Sequence, residues 1–156
     1  MNGKGTPRTT GFSLLELLLV LGILVTFAGL AIPRYGNAVF RHQADVAARR
    51  VAADLRQAQS YAKLASTACT VSFSVDTEQY QLANVPSFDG QPGDYIVDLS
   101  ADPYNAKLIS ADFGGATQMV FDGWGLPNSA GTVVIEVGSE QRTIAVDGET
   151  GEARIL

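Results

Sequence analysis

The stretch "GFSLLELLLVLGILVTFAGLAIPRY", residues 11 to 35, decides how the chain is read. From Leu14 to Ile32 it is nearly all apolar, yet a carboxylate, Glu16, stands near its start. A helix over that run rises roughly 28 Å at about 1.5 Å per residue, close to the roughly 30 Å hydrocarbon thickness of a bilayer, so one membrane pass is expected. A cleaved secretory signal has a shorter apolar run, about 7 to 15 residues, ahead of a small-residue site. Here the run leads straight into "PRYGNAVFRHQADVAARR", and the segment is expected to stay attached. Pro33 lacks an amide hydrogen and its ring opposes the carbonyl of Gly29, so a kink or local opening is expected between Gly29 and Pro33.

The 156 residues suit one globular domain beside this segment. The net charge of −5 is unevenly spread. Lys4 and Arg8 precede the apolar run without any acid, and from Arg34 to Lys63 six bases face only Asp45 and Asp54. From Leu64 onward Lys107, Arg142 and Arg154 oppose thirteen acids. Such an acidic head repels phosphates, which disfavours DNA as a partner. Cys69 is the single cysteine, so an intrachain disulfide and a thiolate metal cluster are both ruled out.

After Pro33, Ala47, Val51, Leu55, Ala58, Ala62 and Ala65 recur at helical spacing, giving an amphipathic helix to about Ser66 whose alanine stripe lets a sheet approach closely. Arg49, Arg50, Arg56 and Lys63 are expected to face water. At Cys69 the period changes to two: Cys69, Val71, Phe73 and Val75 alternate with polar residues, and "DTEQ" separates them from "YQLA", a β-hairpin. Strands are further expected at "YIVDLS", "KLIS", "QMVFD", "TVVIEV", "RTIAVD" and "EARIL", between turn-rich loops at 84 to 94 and "GWGLPNSAG". The expected fold class is α+β, a long N-terminal helix packed on an antiparallel β-domain.

Ser13-Leu14-Leu15-Glu16 fits the S-x-x-E capping box, and a first-turn carboxylate suits the helix dipole. An acid in a bilayer is also usually retained where a partner exists, since central placement costs about 2.5 to 3.5 kcal/mol. The short basic leader, the Gly11-Phe12 boundary and Glu16 at the fifth position from Phe12, ahead of the apolar helix, resemble the class III leader of type IV pilins and type II secretion pseudopilins. The resemblance implies cleavage between Gly11 and Phe12 by a prepilin peptidase, N-methylation of Phe12, and pairing of Glu16 with the terminal amine of a neighbouring subunit during filament assembly. The geometry of one helix equally allows that pair within a chain.

Farther along, "AADLRQAQSYAKLAST", "MVFDGWGLPNSAGTVVIEV" and "RTIAVDGETGEARI" are similar to the H-type minor pseudopilins and the FimT-like minor pilins. The expected organisation is a leader at 1–11, a transmembrane helix half at 12–32, an amphipathic half at 33–66 and a β head at 67–156. The resemblance implies a minor subunit of the type II secretion pseudopilus, in the inner membrane with a periplasmic head, whose partners are other pseudopilins or pilins. The alternatives are a FimT-like minor pilin that initiates filaments or takes up DNA, and a non-polymerising membrane-anchored binding protein. Counted near the span, Arg34, Arg41, Arg49 and Arg50 outnumber Lys4 and Arg8, which favours the opposite topology. The leader resemblance takes precedence.

No catalytic constellation, cofactor or metal site is expected. His42 and Cys69 lie too far apart along the helix for a dyad. Asp89, Asp94, Asp98, Asp102 and Asp112 do not follow a calcium-loop pattern and read as solvated loop acids. Trp124 reads more readily as a plug over the core than as an exposed contact. Arg41, Arg49, Arg50 and Arg56 form either a solvated helix face or a basic contact for the acidic head of another subunit.

Overall fold

The computed structural model describes residues 12–83, 85 and 95–156, with side chains outside 29–35. The first helix, α1, runs from Leu14 to Ala65 and belongs to two compact units, one ending at Gly36 and the other beginning at Asn37. In the first unit the Ser13 carbonyl accepts the amide of Leu17 at 3.1 Å, opening the helix ladder, and Glu16 lies in the first turn. Leu14, Leu15, Leu17, Leu18, Leu19, Leu21, Leu24 and Phe27 are all exposed. They leave no polar face, and a helix apolar all round needs a covering other than water. Among the described residues no helix is long and apolar enough to cross a membrane. The expected span to Ile32 enters 29–35, and the expected opening at Gly29 and Pro33 lies outside the residues whose side chains are described, although the backbone there is helical.

In the second unit the helix buries Ala44, Ala47, Ala48, Val51, Ala52, Leu55, Ala58 and Ala62, steps of one, three and four that trace one face. Ala65, expected on this stripe, is exposed because the helix ends there. Ser66 takes a left-handed φ of 49° and the Thr67 amide reaches back to the Ala62 carbonyl at 3.2 Å, a Schellman closure that turns the chain toward the first strand.

The strands are β1 (Cys69–Ser74), β2 (Gln79–Ala83), β3 (Tyr95–Asp98), β4 (Lys107–Asp112), β5 (Gln118–Phe121), β6 (Gly131–Val137), β7 (Glu140–Val146) and β8 (Ala153–Ile155). All pairings are antiparallel, in two four-stranded sheets ordered β3-β2-β1-β5 and β4-β6-β7-β8. Every expected strand segment is present. The expected loop at 84 to 94 lies outside the described residues except for buried Val85.

Period-two alternation sends Val71, Phe73, Tyr80, Leu82, Met119 and Phe121 inward from the first sheet and Val133, Ile135, Ile144 and Val146 from the second. Val75 falls beyond β1 and is exposed. In β4 the register shifts between Leu108 and Ser110, so the inward positions become Leu108 and Ala111, three apart, and Ile109 is turned out. Phe73 stacks obliquely on Tyr80 and Phe113, with centroids 5.4 and 5.6 Å away.

Candidate functional site

The sequence places the site at the start of α1. Gly11 lies outside the described residues. Phe12 is 84% exposed, directly before the helix, and Glu16 is exposed one turn on. Among the described residues neither the Ser13 hydroxyl nor the Glu16 carboxylate makes a hydrogen bond, so the capping-box side-chain exchange is not formed. The carboxylate is accessible to a group from another molecule, at a helix end whose dipole also favours an anion.

In the second unit polar contacts pin α1 to both sheets. Asp54 is 4% exposed, on the buried face between Val51 and Ala58, where its Oδ2 accepts the Tyr80 hydroxyl of β2 at 2.6 Å and Arg50 Nε at 3.1 Å. Burial pushes the Asp54 carboxyl above its usual range, while the Tyr80 hydrogen bond and then Arg50 pull it part of the way back. Burial and the neighbouring Asp54 charge push the Tyr80 hydroxyl far up, so it is a firm donor. The Arg50 guanidinium also lies 5.6 Å from the centre of the Tyr95 ring.

Toward the other sheet, Arg142 of β7 donates to Asp45 at 2.7 Å and lies 3.6 Å from Glu140, which accepts from Arg41 at 3.1 Å. Arg56 donates to the Ala153 carbonyl of β8 at 2.6 Å, and Gln59 donates to the carbonyls of Gly125 and Thr150. Three of the four arginines expected to face solvent or a second subunit, Arg41, Arg50 and Arg56, therefore have partners within the chain. Arg49 is exposed and makes no ion pair among the described residues. The sequence reading missed Asp54, although it falls on the same helical stripe as Val51 and Ala58.

The remaining candidates separate. His42 is exposed, whereas Cys69 is fully buried with its thiol directed at the Ala83 carbonyl at 3.4 Å, and burial pushes that thiol up. Asp98 caps the turn after β3 through the Ser100 hydroxyl and amide, bonds that lower its carboxyl. Asp102 accepts from Asn105, and Asp112 from the Gly115 amide. Asp89 and Asp94 lie outside the described residues. Among the described residues no three His, Cys, Asp or Glu side chains are grouped to hold a metal ion. Arg154 pairs with Glu152 at 2.7 Å. Trp124, expected to plug the core, is instead 82% exposed, because the two glycines beside it let its turn lie against the helix end with the indole outward.

The family described as "Type II transport protein GspH" matches residues 47–151, from the buried helix stripe through the last turn before β8. The chain is also 29% identical over 114 residues to the "Type IV major fimbrial protein FimA" of Dichelobacter nodosus, an alignment covering 69% of each chain. No solved structure matches it. The matched family is a structural one of pilin-like subunits rather than a class of enzymes. On the family match to its helix and both sheets, the chain belongs to the type II transport protein GspH family, the pilin-like pseudopilins.

Proposed function

We infer that the chain is a minor pseudopilin that assembles into the type II secretion pseudopilus and supports protein export. The observation that carries this reading is the exposed, all-round apolar helix start, with Phe12 and Glu16 at its end, in the same chain as a family-matched head. Such a helix is buried either by lipid or by other helices, and a subunit that moves from membrane to filament exchanges one for the other. In this reading prepilin peptidase removes residues 1–11, Phe12 is N-methylated, and residues 12–32 hold the chain in the inner membrane with its head in the periplasm. Glu16 then accepts the terminal amine of a neighbouring subunit, and the cost of an acid among apolar helices selects the docked register.

Intact mass and N-terminal sequencing of the membrane-extracted protein test this. A mature chain beginning at methylated Phe12 is expected. Retention of residues 1–11 in a host with active prepilin peptidase contradicts it. The similarity to a major fimbrial protein favours a second reading, a minor subunit of a type IV pilus. Cross-linking at exposed head positions in the native host separates the two by the neighbour captured, a secretion pseudopilin or a fimbrial pilin.

A further inference from the structure

Trp124 is the chain's single tryptophan and stands 82% exposed on a turn tied down by its own hydrogen bonds. Asp122 Oδ1 accepts the amides of Trp124 and Leu126 at 2.9 and 2.8 Å, and the Asp122 carbonyl accepts the Gly125 amide at 2.8 Å. Gln59 of α1 holds the Gly125 carbonyl at 2.9 Å. A Cβ on Gly123 would sit 3.0 Å from the backbone of Ser66, and one on Gly125, whose φ is +77°, would sit 2.3 Å from Lys63 Cε. Only glycines on both sides let the turn lie flush against the last turn of the helix. The result is a groove of about 270 Å³ lined by Lys63, Ser66, Gly123 and Trp124.

Leu126, 50% exposed two residues from the indole, adds apolar surface beside it in the chain. Among the described residues Lys63 is the one charged residue lining the groove, and it makes no ion pair with any of them. An exposed tryptophan on a backbone pinned by hydrogen bonds offers a large contact area with only two side-chain torsions left to order, and tryptophan is among the residues that dominate interfaces. An unpaired ammonium beside it complements one carboxylate. A polyanion is disfavoured, because thirteen acids oppose three bases from Leu64 onward.

We propose that the Trp124–Lys63 groove docks a short segment of another protein that carries an aliphatic side chain next to a single carboxylate. The aliphatic group covers the indole and the carboxylate meets the Lys63 ammonium. This docking is independent of how the N-terminus is processed. The test is fluorescence polarisation of a dye-labelled capped peptide, Ala-Leu-Glu-Leu-Ala, against the full chain in non-ionic detergent, with an empty-micelle blank and emission from Trp124 followed in parallel.

Saturable binding with a blue shift of the tryptophan emission is expected. Trp124→Ala is expected to weaken it about thirtyfold or more. Lys63→Gln is expected to weaken it about two- to fivefold and to abolish the preference for the glutamate peptide over its glutamine analogue. Absence of saturable binding at millimolar peptide, unchanged binding by Trp124→Ala, or a glutamate preference that survives Lys63→Gln would each overturn the proposal. An emission shift that follows protein concentration without peptide would place a second copy in the groove and overturn it equally.

Discussion

The Tyr80 hydroxyl donates a 2.6 Å hydrogen bond to Asp54 Oδ2, joining the buried face of the helix to the second strand through the one polar side chain in the core among the described residues. Asp54→Ala leaves that hydroxyl buried without its acceptor. Urea unfolding of the full chain in detergent, followed by circular dichroism, is expected to show a loss of about 1–3 kcal/mol.

The same carboxyl sets a pH dependence. Burial, its largest influence, holds Asp54 above the usual carboxylate range, so the folded chain keeps the proton more tightly than the unfolded one. The stability this contributes is complete below the ordinary carboxylate pKa and is lost as pH rises through the raised value. Asp54→Asn keeps an oxygen for Tyr80 and cannot ionise. Its stability relative to the natural protein is expected to rise over the pH interval above the ordinary carboxylate pKa of about 4. A relative fall over that interval would mean that the Arg50 pairing outweighs burial.

Arg142 and Asp45, 2.7 Å apart with partly exposed side chains, link β7 to the helix. A double-mutant cycle with alanine at both positions is expected to give a coupling of about 0.5–1 kcal/mol at low salt. In about 1 M salt, where screening acts within about 3 Å, most of it is expected to vanish. A salt-independent coupling would assign the link to packing rather than charge.

Gly138 opens the turn between β6 and β7 with a φ of +60°, and a Cβ there would sit 2.7 Å from the Phe40 ring. Gly138→Ala strains the backbone and displaces that ring. A loss of about 1–3 kcal/mol is expected. Combining it with Phe40→Ala is expected to cost less than the sum of the two, because the clash is then removed.

The strands were legible because each has one buried face, and the change from helical to period-two spacing at Cys69 is abrupt. Their division into two sheets was not. Alternation tells which way Val71 and Val133 point, but not that β1 lies between β2 and β5 while β4 pairs with β6. The β1–β5 and β4–β6 pairings join strands that are not consecutive in sequence and are decided by the packing of the whole head. The extra residue at Ile109 was equally invisible, since a bulge changes register without changing composition.

Asp54 was hidden by its company. Among Arg49, Arg50 and Arg56 an acid reads as part of a solvated face, although its helical position lines up with Val51 and Ala58. Trp124 was misread because size favours burial, whereas glycines on both sides bring the backbone against the helix and leave the indole no inward path. At the other end of the chain the apolar run and Glu16 were plain in the sequence. Among the described residues Glu16 has no hydrogen-bond or ion-pair partner, and the role proposed for it lies in contacts between subunits.

Incorporation of Glu16→Gln into filaments, at native expression in the natural host, tests that role most directly. The account predicts that the glutamine variant is cleaved after Gly11 and held in the membrane like the natural protein, while its incorporation and the secretion that depends on it fall severalfold or more. The amide can still serve a helix cap, so a capping role alone predicts no change. Normal incorporation of the glutamine variant would contradict assembly through the Glu16 charge.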